Sequence, residues 1–289
     1  MRTMLIPVAE LHLHIEGTLQ PELIFALAEL NGMELPYQDI DELREKYEFT
    51  DPQSFLDLYY ASMAVLQTAQ DFTSMTRAYL KRAAAGGVRH SEIMMDPQAH
   101  ISRGVALETC VNGVANAPAT SEVDFGISAL LIAAFLRDMS EDSAIDVLDQ
   151  LLAMDAPIAD IGLDSAEVGN PPSKFDRLYQ RVDEAGLRRI AHAGEEGPAS
   201  YITEALEVLH VERIEHGIRC KEDTDVVQRL VGEQVPLTVC PLSNVRLRAV
   251  DKLADHPLPE MLAIGLNVCV NSDDPPTLAA TWTRTSSSW

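Results

Sequence analysis

The sequence predicts an α/β protein folded as one (β/α)8 barrel of the TIM type, and three observations predict it. Short apolar segments of strand character alternate with helical segments, the signature of a parallel sheet with crossover helices. A chain of 289 residues that yields eight such units suits a closed barrel better than an open sheet. Polar or ionisable residues close several of the strand segments, and in a barrel those ends share one rim.

The first strand is expected at Glu10-Leu11-His12-Leu13-His14-Ile15-Glu16-Gly17, where Leu11, Leu13 and Ile15 alternate with polar residues. Gly17 and Pro21 end it, and a helix follows from Pro21 to Leu30. On a strand His12 and His14 project to the same side, roughly 6.5–7 Å apart. Two imidazoles converging on one point suit a metal ion, since neutral imidazole nitrogen is a common zinc ligand; the plainer alternative is a solvated strand face. Thr50 to Ala85 is helical in pattern, with Phe55, Leu58, Tyr59 and Met63 at core spacing. Further strands are expected at Arg89–Met95, Phe125–Leu136, Ile158–Leu163, Arg188–His192, Arg213–His216, Leu237–Cys240 and Leu266–Asn271. Between them, helices are expected near Val105–Asn116, Asp142–Met154, Pro172–Glu184, Ser200–Leu209, Glu222–Gly232 and Leu258–Ile264. No internal repeat, low-complexity linker or boundary interrupts this order, so residues 1–289 read as a single domain.

Composition narrows the function. The hydrophobic fraction of 46% supports a sizeable core, and a net charge of −23 argues against a polyanion such as nucleic acid or an anionic membrane surface as partner. A neutral or cationic small molecule, or a metal ion, remains compatible. Cys110, Cys220, Cys240 and Cys269 are widely spaced and read as free thiols in a reducing compartment. The N-terminus has no signal-peptide pattern, and the longest apolar run, Ile127 to Leu136, is too short to span a bilayer. A cytoplasmic protein is expected; the sequence does not speak to oligomeric state.

The strand ends carry the candidate chemistry. His12 and His14 close strand 1, Asp164 to Glu167 follow strand 4, His192 and Glu195 close strand 5, His216 closes strand 6, and Asp273 and Asp274 close strand 8. Three imidazoles (His12, His14, His192) and Asp273 make a plausible ligand set for zinc with room for a water. Such a cation lowers a water's pKa towards neutrality. His216 is then the orienter or base for that water, and Glu195 the general acid/base. Taken singly, His216 could be a hydrogen-bonded core histidine and the Asp273-Asp274 pair a helix N-cap. His90, His100, His210 and His256 lack such company and read as structural.

The segments His12-Leu13-His14-Ile15-Glu16-Gly17, His192-Ala193-Gly194-Glu195, Arg213-Ile214-Glu215-His216-Gly217 and Asn271-Ser272-Asp273-Asp274-Pro275 resemble, in order, the motifs of the adenosine/adenine deaminase family of the amidohydrolase superfamily. The resemblance runs from about Glu10 to Pro275. It implies a (β/α)8 barrel and one zinc ion per chain on His12, His14, His192 and Asp273. It also implies Glu195 as proton donor to a purine ring, His216 as partner of the attacking water, and Asp274 as hydrogen-bond partner on the ring's imidazole side. Strand 4 carries no lysine, which speaks against a lysine-bridged two-metal site. The absence of a P-C-x-x-C segment separates the chain from cytidine-deaminase-type zinc sites.

Within that family, Ile15-Glu16-Gly17-Thr18-Leu19-Gln20-Pro21-Glu22 and Asp164-Ser165-Ala166-Glu167-Val168-Gly169-Asn170-Pro171-Pro172 look like the adenine deaminase branch. Glu16 and Glu167 are expected at the substrate, where their length would restrict the space for a ribose. The implied reaction is hydrolysis of adenine to hypoxanthine and ammonia. The alternatives are adenosine deamination, or a truncated metal-binding relative with impaired catalysis.

The end of the chain departs from the pattern. After Asp274-Pro275 the branch would continue with something like Ala-Tyr-Phe-Gly-Gly-Tyr-Leu-Asp-Glu-Asn-Phe, whereas the text is Pro276-Thr277-Leu278-Ala279-Ala280-Thr281-Trp282-Thr283-Arg284-Thr285-Ser286. Plausible codons for the former, read one base later, translate as the latter. A one-base frameshift after Pro275 is therefore expected, leaving 276–289 as a non-native tail and the eighth helix and C-terminal extension missing.

Overall fold

A computed structural model of the chain describes residues 6–46, 58–59 and 61–274. Its eight strands lie in chain order in one sheet, each parallel to the next. They are β1 (Val8–Glu10), β2 (Val88–Met95), β3 (Ser128–Leu136), β4 (Ile158–Asp164), β5 (Arg188–Ala193), β6 (Arg213–His216), β7 (Leu237–Val239) and β8 (Val268–Val270). The ring closes just beyond the first and last strands. Asp273 donates its N–H to the His12 carbonyl, and His14 donates to the Asp273 carbonyl, both at 3.1 Å. The sheet is thus the (β/α)8 barrel that the alternating pattern predicts, with helices outside and loops at the rims.

Alternation along the strands separates two cores. Ala191 and Ala193 of β5 face outward into the main core beneath the helices. Ile190 joins Met94, Ile132 and Ala134 in a small buried apolar cluster inside the ring. His192 shares a face with Ile190 because strand side chains repeat every two residues. The inner cluster is therefore a floor, and the candidate side chains stand above it at the carboxyl ends.

Several element boundaries differ from the sequence expectation. Regular pairing of the first strand ends at Glu10, because the Leu11 N–H is diverted to the Asn271 side chain. The next residues stay in pairing contact with both neighbours, through single bridges from Leu13 to Asp273 and from His14 to Met94. His12 and His14 still share a side, with ring centroids 5.5 Å apart, but that side is buried, not solvated. Phe125 ends a helix, Pro118–Phe125, that the apolar run concealed; Gly126 at φ +71° turns the chain into β3. In the Thr50–Ala85 region, a helix starts at Ala69 behind a Thr68–Asp71 capping box, while Phe55 lies outside the described residues. Leu58, Tyr59 and Met63 are buried, in keeping with their core spacing. The expectations for 276–289 and the eighth helix also fall outside the described residues. All four cysteines are free thiols, and no helix among the described residues is long and apolar enough to cross a membrane.

Candidate active site

His12, His14, His192 and Asp273 meet above the floor of the barrel. Each imidazole is held through Nδ1: His12 by Glu215 at 3.1 Å and Thr238 at 3.0 Å, His14 by Asp164 at 3.5 Å, and His192 by the Leu163 carbonyl at 3.1 Å. Acceptors at Nδ1 assign the proton there and leave Nε2 as a lone pair. The three Nε2 atoms then converge. Those of His14 and His192 are 3.2 Å apart, and Asp273 Oδ1 lies 3.5 Å from His12 Nε2 and 3.6 Å from His14 Nε2. His12 Nε2 is buried without a hydrogen-bond partner. Lone pairs and a carboxylate facing one point without a donor between them are what a cation satisfies, and this donor set fits zinc. Burial, with the neighbouring His12 and His216 rings, holds His192 well below the usual histidine range, as a neutral ligand requires.

Glu195 and His216 stand beside this point and are joined by one amide. Asn244 donates from Nδ2 to Glu195 Oε1 at 2.6 Å and to His216 Nδ1 at 3.1 Å. Its Oδ1 accepts from His256 Nε2 at 3.1 Å, and His256 Nδ1 accepts the Leu258 N–H. The proton of His216 is thereby placed on Nε2, 3.4 Å from Glu195 Oε2 and 3.8 Å from Asp273 Oδ2. Burial pushes His216 down to about 3, so it stays neutral. Burial pushes Glu195 well above the carboxylate range, with Asp273 and Glu167 adding repulsion. An elevated carboxyl beside a neutral imidazole is a pair suited to holding and delivering one proton.

A cavity of about 140 Å³ opens over these groups, lined in part by His14, His192, Glu195, His216, Asp273 and Asp274. Its volume is close to the roughly 150 Å³ of an engineered cavity that accepts benzene, and so fits a small flat ring. Asp274 lines it, its carboxyl raised well above the usual range by burial and by Asp273. A methyl group at Gly17 would overlap the Asp274 carboxylate, so this packing needs glycine there. Ser165, His216 and Asp273, all on the lining, have left-handed backbones at φ +69°, +63° and +64°. Such strain in non-glycine residues clusters at functional sites.

Glu16 and Glu167 are not among the residues lining the cavity. Glu16 lies behind the wall, accepting from the Asp96 N–H at 3.2 Å and from His100 at 2.8 Å. Glu167 Oε2 accepts the backbone N–H groups of Glu195 at 3.1 Å, Glu196 at 3.0 Å and Gly197. Its Oε1 is 3.4 Å from the fully buried Arg137, which also donates to the His192 carbonyl. A Cβ on Gly197 would sit 2.8 Å from Glu167 Oε2 and 2.5 Å from the Tyr201 ring, so only glycine admits this approach. Sequence reasoning gave no role to Glu215, Ser243, Asn244 and Arg137, and read His256, which supports Asn244 from behind, as structural. Ser243 donates to Asp273 from the helix Pro241–Arg246, and the polar Ser243-Asn244 pair after strand 7 was the available signal.

Residues 7–285 match the family model described as adenosine deaminase. The chain belongs to the adenosine deaminase family. Among members of that family, an adenine deaminase from Streptomyces coelicolor is 60% identical over 270 residues, covering 93% of this chain and 79% of the relative. A crystal structure of adenine deaminase from Arthrobacter aurescens superposes with a TM-score of 0.96 at 86% identity, over 97% of this chain and 86% of that one. An amidohydrolase from Burkholderia ambifaria, solved with bound Zn, is 29% identical with a TM-score of 0.84, over 96% of this chain and 77% of that one.

Proposed function

We propose that this chain is a zinc-dependent adenine aminohydrolase, converting adenine and water to hypoxanthine and ammonia. The observation that carries the chemistry is the convergence of the His12, His14 and His192 lone pairs and Asp273 beside Glu195 and His216. The adenine deaminases to which the chain is 86% and 60% identical support the substrate. His12, His14, His192 and Asp273 would hold one zinc ion. When bound, zinc supplies a Lewis acid that makes water a nucleophile near neutral pH.

The remaining roles fall to the chain's own residues. Glu195, protonated by virtue of its raised pKa, gives its proton to N1 as water attacks C6. His216, with its proton on Nε2, orients the attacking oxygen as a donor. Glu195 then recovers a proton for the departing amine. Of the two protons of water, one ends on N1 and the other on ammonia. Asp274 reads the imidazole side of the ring. The partner is a small purine, not a nucleic acid, and residues 1–289 act as one hydrolase domain. Four free thiols agree with a cytoplasmic site of action. The test compares kcat/KM for adenine and adenosine on metal-analysed protein; a preference for adenosine would overturn the assignment in favour of nucleoside deamination.

A further inference from the structure

Behind Glu195 and His216 one group has no choice of hydrogen-bond role, and the roles of its neighbours follow from it. The Leu258 N–H, on the first residue of the helix Leu258–Ala263, can only donate, and it meets His256 Nδ1 at 3.1 Å. A neutral imidazole accepts through one nitrogen and carries its proton on the other. Burial pushes His256 down to about 4, so the ring is neutral near pH 7 and its proton is on Nε2. The Asn244 atom 3.1 Å from that nitrogen must then be the carbonyl oxygen, which turns the amide nitrogen towards Glu195 and His216.

The reacting pair is left with a single arrangement of protons. Asn244 Nδ2 gives one hydrogen to Glu195 Oε1 at 2.6 Å and the other to His216 Nδ1 at 3.1 Å. Both of those atoms accept, so a protonated Glu195 carries its hydrogen on Oε2, as His216 carries its own on Nε2. Oε2 and Nε2 lie 3.4 Å apart, and both side chains line the cavity. With the amide turned over, its oxygen would draw these protons to itself, onto Oε1 and Nδ1. Asn244 is fully buried and His256 is 4% exposed, so the amide's orientation is decided by buried groups, where a mismatched pair is costly.

Resting on the adenine reading above, we infer that His256 is a positioning residue that acts through the Asn244 amide. It keeps the proton of Glu195 on Oε2 and that of His216 on Nε2, where the purine N1 and the attacking oxygen meet them. Neither His256 nor Asn244 lines the cavity. Asn244 comes from the helix Pro241–Arg246, and His256 follows the turn Leu253–Asp255. The donor that starts the relay belongs to a third element, the helix Leu258–Ala263. The proton pattern of the site is thus anchored in a backbone amide outside it.

The experiment compares His256→Phe, which loses both ring nitrogens, with His256→Gln, which still donates from Nε2, in zinc-loaded protein. Nitrogen-labelled histidine and long-range proton–nitrogen spectra show which ring nitrogen of His216 is protonated, its signals being those lost in His216→Asn. Wild-type protein and His256→Gln should carry the proton on Nε2, and His256→Phe should move it to Nδ1 wholly or in part. In His256→Phe kcat for adenine should fall roughly 10- to 100-fold with KM unchanged within about twofold, as for an interaction that counts only in the transition state. His256→Gln should keep kcat within about threefold of wild type, since its donor survives. If His256→Phe does not fold, Asn244→Asp, the same shape with oxygen at both positions, should draw the His216 proton to Nδ1 instead. A His216 ring that stays protonated on Nε2 in these variants, or equal losses of kcat in His256→Phe and His256→Gln, would overturn the positioning role. Wild-type protein that fails on adenine would instead overturn the activity, while a His216 proton that moves to Nδ1 in His256→Phe would uphold the placement.

Discussion

The carboxylate of Glu167 accepts the backbone N–H of Glu195 at 3.1 Å, and with it the next two amides of the same turn. Glu167 leaves β4 and Glu195 leaves β5, so a side chain from one strand end sets the main chain of the next. Arg137 holds Glu167 from behind and reaches the His192 carbonyl as well. Glu195 and His192 are thereby tied to one buried ion pair.

Glu167→Ala should lower kcat roughly 10- to 100-fold through misplacement of Glu195, in line with the sensitivity of catalysis to small errors of position. Made in a Glu195→Gln background, the same change should cost little more. A double-mutant cycle in kcat checks this, and additive losses would show that Glu167 acts elsewhere.

Glu195→Gln alone should keep fold and metal content while kcat falls by roughly 10²–10⁴. Near-normal turnover would pass the role to another group, of which the adjacent, exposed Glu196 is the nearest candidate.

Metal content should be one ion per chain by elemental analysis, and two equivalents would contradict the single site. Zinc at about 100 times its Kd should stabilise the protein by about 2.7 kcal/mol, read as a raised melting temperature that chelator abolishes. His12→Ala should lose most of that shift, because three ligands make a poorer site.

His256 should make stability depend on pH. Burial pushes it down to about 4, and its neutral ring both donates to Asn244 and accepts from Leu258. Between pH 6.5 and 4 the unfolded chain binds a proton that the folded chain refuses. Stability is therefore complete above about 6.5 and falls as pH drops to about 4, by up to about 3 kcal/mol. Urea unfolding in chelator across pH 4–7 should show a slope shallower by about one proton in His256→Gln.

The barrel was legible because its period is local. Apolar alternation at Arg188–His192 and Arg213–His216 reports strands, and strands separated by helices imply parallel neighbours. Helices such as Pro118–Phe125 and Pro241–Arg246 were not legible, since they are short and lie against apolar runs that read equally well as strand or loop. The second of them carries Asn244, which is why the link between Glu195 and His216 escaped notice.

Residue type and strand-end position were enough to name His12, His14, His192, Asp273, Glu195, His216 and Asp274 as one constellation, because a barrel gathers all its strand ends at one mouth. Direction was another matter. Glu16 and Glu167 follow strand ends just as Asp96 and Asp164 do, yet the first two turn to backbone amides behind the wall and the last two face the cavity. Which way a carboxylate points depends on which buried N–H groups lie within a few ångströms of it, and those belong to residues dozens of positions away. That competition between distant donors is settled only when the chain closes into the barrel.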